Sequence, residues 1–217
     1  MTEALRLPNP DDTLAKTRRR QIFLAACRVL ARKSFHQATV KEIAVEASLA
    51  AGSIYLYLRS KEEMLLLLAE SMVAELAEAL PDIRAASGAD PRRELLGIMR
   101  GALDVIDRYR EAFAVMNHEV RYLAHRAKYR AAVEEIVEPY FAALAGALKR
   151  GRELGMMRVE NVPSMVEAVH MLCSGWAMGS GLLANTDRET YWRAIAGTIE
   201  GRFFISDNST PFSDKTI

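Results

Sequence analysis

The stretch ATVKEIAVEASLAAGSIYLYLRSKEE, residues 38–63, contains two helix-start signals separated by a turn signal. Thr39 followed by Glu42, and Ser60 followed by Glu63, have the spacing of a capping box, in which the two side chains satisfy free amides of the first helical turn. Between them, Ser48 is predicted to make a tight turn. The stretch therefore predicts a helix from Thr39, a turn, and a further helix that begins after Ser60.

The same stretch has the composition of a helix-turn-helix, which needs a small residue where two helices cross, apolar residues that fix their angle, and a tight turn. Ala44 supplies the small residue, and a short second helix is predicted from about Ala50 to Leu56. The apolar wedge consists of Val40, Ile43, Leu49 and Ile54. The second helix is expected to turn towards solvent or a major groove with Ala50, Ala51, Ser53 and Tyr55.

The rest of the chain is also predicted to be helical. Apolar spacing predicts one helix over residues 17–33 and another that starts at Lys61 and ends at Pro81. Further helices are predicted over 91–109, 111–125, 126–154 with a kink at Pro139, 163–183 and 187–201. The expected fold is all-α, with a flexible lead (1–15), a helix-turn-helix head (16–60), a helical body (61–205) and a mobile tail (206–217).

Composition and charge favour a globular protein with a basic head. Half of the 217 residues are apolar and 26% are charged, which excludes a disordered chain. The net charge is only +1, but residues 1–60 contain ten Lys or Arg and five Asp or Glu. The head therefore carries a net charge of +5 and the remainder −4. Such an asymmetry is typical of a polyanion-binding head, although a solvated charged face has the same composition.

Cysteine usage and hydropathy predict a cytoplasmic location. Cys27 and Cys173 lack the paired spacing of a disulfide framework or a zinc site. The start of the chain has no apolar signal-peptide region, and the apolar stretch 165–184 is interrupted by Glu167 and His170. We therefore expect no signal peptide, no contact with a membrane, no metal and no cofactor.

Several residues of this stretch match, at fixed spacing, the sequence pattern of a known family. The run from Thr39 through Ile43-Ala44, Ala47 and Gly52-Ser53-Ile54-Tyr55 to Ser60-Lys61-Glu62 resembles the signature of TetR-family transcriptional regulators. The match covers about residues 22–66, and the all-helical remainder is similar in architecture to that family's ligand-binding and dimerisation body. The resemblance implies that Gly52, Ser53, Tyr55, Tyr57 and Lys61 line the DNA, with Thr39 at a phosphate.

The sequence departs from the family pattern at several positions. Ser48 stands where the family usually has Gly, which predicts left-handed strain of about 1 kcal/mol. Ala50 replaces the usual capping Ser, at a cost of about 1 kcal/mol. Leu56 and Leu58 replace aromatic or histidine residues, which makes a phosphate contact at Leu56 doubtful.

Contacts with DNA are predicted to be mainly to phosphates and to groove shape. Between Ala50 and Leu58 no Arg, Lys, Asn or Gln is available for bidentate contacts to bases. We therefore expect the protein to recognise its DNA site through contacts with thymine methyl groups and through the deformability of the DNA. Tyr55 and Tyr57 are alternatively parts of the head core. The predicted DNA-binding residues are Arg18, Arg19, Thr39, Ala50, Ala51, Gly52, Ser53, Tyr55, Tyr57 and Lys61.

The methionine-rich body predicts a cavity for an apolar effector, although methionine also serves as loose core filling. Asn117 and Arg121 share a helix face and are suited to hold a carboxylate, phosphate or thioester group, unless that face is merely solvated. The predicted ligand-binding residues are Met99, Met116, Asn117, Arg121, Tyr140, Met171 and Trp176.

Small residues in the helix predicted over 163–183 favour close approach of another helix, either in a homodimer or within one subunit. The predicted dimer interface contains Gly175, Gly179, Leu183, Trp192 and Ile195. Two heads would then read the half-sites of an inverted-repeat operator, about 34 Å apart.

The leading functional prediction is a homodimeric, ligand-responsive repressor that a small apolar or acyl-type effector releases from double-stranded DNA. One alternative is a small helical enzyme that uses His118, Glu119 or His170, but no nucleophile-base pair or phosphate-binding loop supports catalysis. The other alternative is an effector-independent DNA-binding protein, which would have a solid apolar body.

Overall fold

The computed structural model describes residues 13–179 and 187–205. These residues form eight α-helices and one short 3₁₀ helix, Ser53–Leu56, and contain no strand beyond an isolated bridge between Met157 and Phe204. The predicted all-α fold is confirmed. The α-helices are α1 (Thr13–Leu30), α2 (Val40–Glu46), α3 (Lys61–Ser87), α4 (Pro91–Arg108), α5 (Arg110–Ala124), α6 (Ala127–Glu153), α7 (Val162–Gly179) and α8 (Arg188–Phe203).

The two predicted helix starts of the head are present. Thr39 and Glu42 form a complete capping box at α2. At α3 the Ser60 side chain accepts a hydrogen bond from the Glu63 amide, as predicted. The Glu63 carboxylate, however, accepts from the Arg59 amide at 2.6 Å, one residue before the position that a capping box requires.

The short helix predicted from about Ala50 to Leu56 is present, but it is a 3₁₀ helix and begins three residues later, at Ser53. Its Gly52 N-cap has no side chain to pair with free amides, and Ala50 cannot supply one either. The segment therefore forms short turns with hydrogen bonds between residues three apart. One example is the hydrogen bond from the Tyr57 amide to the Ile54 carbonyl at 2.9 Å.

The prediction that Pro81 ends its helix is also wrong. α3 continues through Pro81 to Ser87. Pro81 lies on the exposed side of α3, where a missing helical hydrogen bond costs less because water is near. Packing beyond the proline favours continuation: a Cβ added at Gly97 of α4 would lie 2.7 Å from Ile83 Cγ2, which shows how closely the two helices approach.

Other predicted boundaries lie within a few residues of the observed ones, except at the first helix. α1 begins at Thr13 rather than Thr17 and ends at Leu30, so the first three described residues, assigned above to a flexible lead, are helical. The predicted tail 206–217 and Leu183 lie outside the described residues.

Helix α3 belongs to both parts of the molecule. Leu65 and Leu68 near its start are buried in the core shared with the head, whereas Leu76 and Leu80 are buried further along, in the body. α4 provides much of the body core, since its Ile98, Met99 and Leu103 side chains are fully buried. Among the described helices, none combines the length and hydropathy needed to cross a bilayer.

Candidate DNA-binding face and body cavity

The 3₁₀ helix displays the predicted recognition face. Tyr55 is 52% exposed and Ser53 is exposed, whereas Ile54 and Leu58 are buried and hold the turn to the head core. Ala50, Ala51 and Gly52 are also exposed, so the predicted base-reading residues share an open surface. Tyr55 is therefore not a core residue of this subunit.

The backbone at Ser48 has the predicted left-handed conformation, with φ 53°. Gly52, by contrast, has φ −74°, which any residue adopts, and a Cβ added there meets no atom of the described residues within 4 Å. The fold itself therefore does not require glycine at position 52. A surface that must approach another molecule closely would require it.

Lys61 and Thr39 take part in contacts within the head. The Lys61 ammonium donates to the carbonyls of Phe35 at 2.9 Å and His36 at 2.7 Å, and it lies 5.2 Å from the centroid of the Phe35 ring. It thereby joins the loop before α2 to the start of α3. Thr39 is exposed, and its hydroxyl is part of the capping box. Whether these two residues contact DNA stays a prediction.

Much of the positive charge of the head is paired internally. Arg28 and Arg32 pair with Glu46, and Lys33 pairs with Glu42. Lys41 and Arg59 are exposed and form no ion pair with any described residue. These two cations were not singled out from the sequence, since only the fold shows which basic residues remain unpaired.

The basic run of α1 faces the body. Arg19 forms an ion pair with Glu70 of α3, whereas Arg18 donates to Gln21 on its own helix at 2.9 Å. Tyr57 is half-buried and lies with Arg19 in a cleft between α1, α3 and α6. The structure thus places Arg19 and Tyr57 between head and body, and their predicted DNA contacts stay predictions.

Tyr109, at the junction of α4 and α5, connects the body to the head. Its hydroxyl accepts a hydrogen bond from Arg20 of α1 at 2.8 Å and donates one to Glu75 of α3 at 2.7 Å. Glu75 also pairs with Arg20 and Arg108. The Tyr109 ring packs edge-on against Phe23 of α1, with centroids 4.8 Å apart. Burial and the hydrogen bond to Glu75 raise the pKa of Tyr109, so its hydroxyl remains a donor.

A cavity of about 210 Å³ lies inside the body, between α3, α4, α5, α6 and α7. Its walls are almost entirely apolar. They consist of Ala69, Met72, Val73, Leu76, Ala102, Val105, Ile106, Phe113, Met116, Asn117, Val120, Arg121, Ala124, Val133, Val137, Tyr140, Phe141 and His170.

Four polar side chains line this cavity: Asn117, Arg121, Tyr140 and His170. Asn117 is buried, and its amide lies 3.8 Å from the sulfur of Met178. Arg121 is exposed, which places its guanidinium towards solvent. The Tyr140 hydroxyl and His170 Nδ1 are buried without a hydrogen-bond partner among the described residues.

The structure brings together four of the seven predicted ligand-binding residues, namely Met116, Asn117, Arg121 and Tyr140. The other three lie outside the cavity lining. Met99 is fully buried in the core, Met171 is 44% exposed, and Trp176 donates to Asp107 at 2.8 Å. Sequence reasoning did not find His170 as a cavity residue. The sequence feature that could have indicated it is a histidine on an otherwise apolar helix, four residues before Ser174 and therefore on the same helix face.

Comparison with known proteins agrees with this arrangement. The family sequence model described as bacterial regulatory proteins, tetR family, matches residues 22–68. Over 148 residues, the chain is 28% identical to the HTH-type transcriptional repressor KstR2 of Rhodococcus jostii RHA1, covering 66% of this chain and 72% of that protein. It is also 28% identical over 139 residues to the fatty acid metabolism regulator protein of Bacillus subtilis 168, covering 64% and 70%.

The head of the chain, residues 22–68, therefore has the DNA-binding sequence of the tetR family. The matched relatives are transcriptional regulators, and this chain is likewise a DNA-binding, helix-turn-helix transcriptional regulator rather than an enzyme. Its fold is shared with the ketosteroid regulator KstR2 of Mycobacterium tuberculosis, with a TM-score of 0.68 and 20% identity over 87% of this chain and 96% of that one. FadR of Bacillus subtilis, solved with stearoyl-CoA, has a TM-score of 0.66 and 24% identity, over 83% and 94%.

The predicted dimer residues of this chain occupy different environments. Ile195 is 5% exposed and packs inside the single subunit. A Cβ at Gly175 would lie 2.6 Å from the Tyr191 hydroxyl, so this glycine allows α7 and α8 of one chain to approach. At Gly179 no atom of the described residues lies within 4 Å of an added Cβ, and Trp192 is half-buried with Arg100 over its ring. A dimer contact at Gly179 and Trp192 stays a prediction.

Proposed function

We propose that this protein is a homodimeric repressor that leaves an inverted-repeat operator when a small apolar or acyl-type effector enters the body cavity. The observation that carries the proposal is the apolar cavity of about 210 Å³, lined by residues of five helices. A DNA-binding protein without an effector has no need of such a space, since interiors are normally close-packed.

The cavity is placed to influence the head. Val105 and Ile106 near the end of α4, and Phe113 near the start of α5, line the cavity on either side of Tyr109. A ligand that separates these helices would shift Tyr109, and with it the hydrogen bond to Arg20 of α1. An effector that binds the shifted form better weakens operator binding by its differential affinity, typically about 1 to 3 kcal/mol.

The chemistry of the lining supports the class of effector. Apolar walls suit a hydrocarbon portion, and the exposed Arg121 at the cavity edge suits an anionic head group that stays near solvent. The structurally similar FadR of Bacillus subtilis was solved with stearoyl-CoA, which has both parts. The apolar pocket with one cation at its edge favours acyl-type molecules over sugars or amines.

A homodimer is supported by small and apolar residues that the single chain leaves exposed on α7 and α8. On α7 these are Ala168, Met171 and Met178, and on α8 Ala194, Gly197 and Gly201. Helices that carry such residues pack closely against each other. Two copies related by a two-fold axis would place two recognition faces on successive turns of DNA, about 34 Å apart.

The test begins with selection of DNA that the purified protein binds from a random duplex library. The selected sites should contain inverted repeats, and light scattering should show a dimer. Titration of decanoyl-CoA into the protein-operator complex, followed by fluorescence anisotropy, should then weaken binding by roughly tenfold. Filling the cavity with Val133→Trp should abolish this response while operator binding persists. A response that is unchanged in the filled variant would contradict the proposed site.

A further inference from the structure

We infer that the effector carries an uncharged oxygen, a carbonyl or hydroxyl group, that hydrogen-bonds to Tyr140 and His170 inside the cavity. This inference rests on the proposed function, because it concerns the ligand of the same cavity. It adds a chemical requirement that the apolar walls alone do not impose.

The first observation is the pair of unpartnered polar atoms. The Tyr140 hydroxyl and His170 Nδ1 are closed off from solvent and lack a hydrogen-bond partner among the described residues. A buried donor or acceptor without a partner is costly, so native proteins rarely leave one, and still more rarely two, in one place. Both residues line the cavity.

The two side chains are in contact in the cavity wall. Tyr140 of α6 and His170 of α7 pack edge to face, with ring centroids 5.7 Å apart. The other nitrogen of the imidazole, Nε2, lies 3.3 Å from the Ser174 hydroxyl, which orients the ring. The free nitrogen Nδ1 is therefore held in place.

The ligand group must be neutral, because both protein groups are neutral at physiological pH. Burial raises the pKa of Tyr140 well above its ordinary value, so the phenol keeps its proton. Burial, together with the positive charge of Arg121, lowers the pKa of His170 to about 4. Arg121, the cation of the cavity lining, is exposed at the cavity edge, so a carboxylate held at Tyr140 and His170 instead would be desolvated without a directly paired counter-charge, which is expensive.

An uncharged oxygen satisfies both groups. A carbonyl accepts from the Tyr140 hydroxyl, and also from His170 when Nδ1 carries the proton. A hydroxyl group accepts from Tyr140 and donates to an unprotonated Nδ1. The cavity volume of about 210 Å³ is below the range of roughly 300 to 1,000 Å³ usual for small-molecule sites, so its walls must move slightly when a ligand reaches these atoms.

The test uses three probes with the same phenylbutyl skeleton: butyrophenone, which has a ketone, butylbenzene, which has no oxygen, and 4-phenylbutanoate, which has a carboxylate. Their dissociation constants are measured by calorimetry for the wild-type protein and for Tyr140→Phe, which removes only the hydroxyl. Tyr129→Phe is the matched control, since Tyr129 is a buried tyrosine of the same helix that does not line the cavity.

In Tyr140→Phe we expect butyrophenone to bind roughly tenfold more weakly, whereas butylbenzene binds equally or more tightly. Tyr129→Phe should change the dissociation constant of neither butyrophenone nor butylbenzene. The carboxylate probe, 4-phenylbutanoate, should bind the wild-type protein more weakly than the ketone. Equal effects of Tyr140→Phe on ketone and hydrocarbon would overturn the inference but leave the apolar effector site intact. Failure of all three probes to bind the wild-type protein would contradict the cavity as an effector site altogether.

Discussion

The recognition face of the head and the cavity of the body differ in what holds them in place. The face is formed by neighbours in the chain, with Ile54 and Leu58 buried beneath it and a capping box on α2 and a Ser60 cap on α3. The cavity is formed by five helices, and two polar atoms in its lining, the Tyr140 hydroxyl and His170 Nδ1, have no hydrogen-bond partner among the described residues. Changes at the face should therefore alter binding more than stability, whereas changes in the cavity should alter stability and its dependence on pH.

The largest expected effect concerns the pH dependence of body stability. His170 has a pKa of about 4 in the folded protein, against an ordinary value of 6.5 when unfolded. Between these pH values the unfolded chain binds a proton that the folded protein excludes. Stability should fall as the pH drops, by about 3 kcal/mol at pH 4 and below.

Urea unfolding of the wild-type protein and of His170→Gln at pH values from 7 to 4.5 measures this contribution as the difference between the two curves. His118→Gln is the control, since the His118 side chain is 79% exposed. Parallel curves for wild type and His170→Gln would show that His170 is not held neutral by burial.

The next effect sharpens the contrast at the head. Gly52→Ala should leave the free protein as stable as the wild type or slightly more stable, because its backbone is ordinary and the added methyl group has space. Operator affinity should fall by about 2 kcal/mol, roughly thirtyfold, because the methyl group crowds a surface that must touch DNA. Fluorescence anisotropy and thermal unfolding measure the two quantities. Full operator affinity would mean that DNA does not approach Gly52 closely.

A smaller effect is expected at the link between the two regions. Tyr109→Phe removes the hydroxyl that joins Arg20 to Glu75 but keeps the ring that packs on Phe23. The coupling between effector and operator binding should shrink by about 1 kcal/mol, whereas effector affinity without DNA stays constant. Operator titrations with and without decanoyl-CoA measure the coupling, and an undiminished response would show that another contact transmits the change.

The smallest effect compares backbone strain in the two regions. Ser48 in the head and Ala89 between α3 and α4 both have positive φ, at 53° and 65°. Ser48→Gly and Ala89→Gly should each stabilise the protein, by about 0.5 to 1 kcal/mol, because glycine adopts this conformation without steric cost. Chemical denaturation measures the free energy of unfolding of both variants. A gain at only one position would show that local contacts offset the strain at the other.

Helix content, caps and the head were predictable from the sequence because their causes lie within a few residues. The Thr39 cap, the turn at Ser48 and the burial of Ile54 follow from side-chain type and spacing. The predicted helix boundaries differed from the observed ones where a local sequence signal was weak or competed with packing between helices. Without a capping side chain, the predicted short helix formed only the 3₁₀ helix Ser53–Leu56. α3 passed through Pro81 because its packing against α4 continues beyond the proline.

The sequence by itself determined that this chain is all-helical, carries a helix-turn-helix and displays Tyr55, because capping and apolar spacing act locally. Only the tertiary structure decided that Arg19 and Arg20 pair with α3, that Met99 and Trp176 lie outside the cavity, and that His170 meets Tyr140. The physical reason is that ion pairing and cavity lining depend on which helix faces adjoin. That choice is made by close packing across distant parts of the chain.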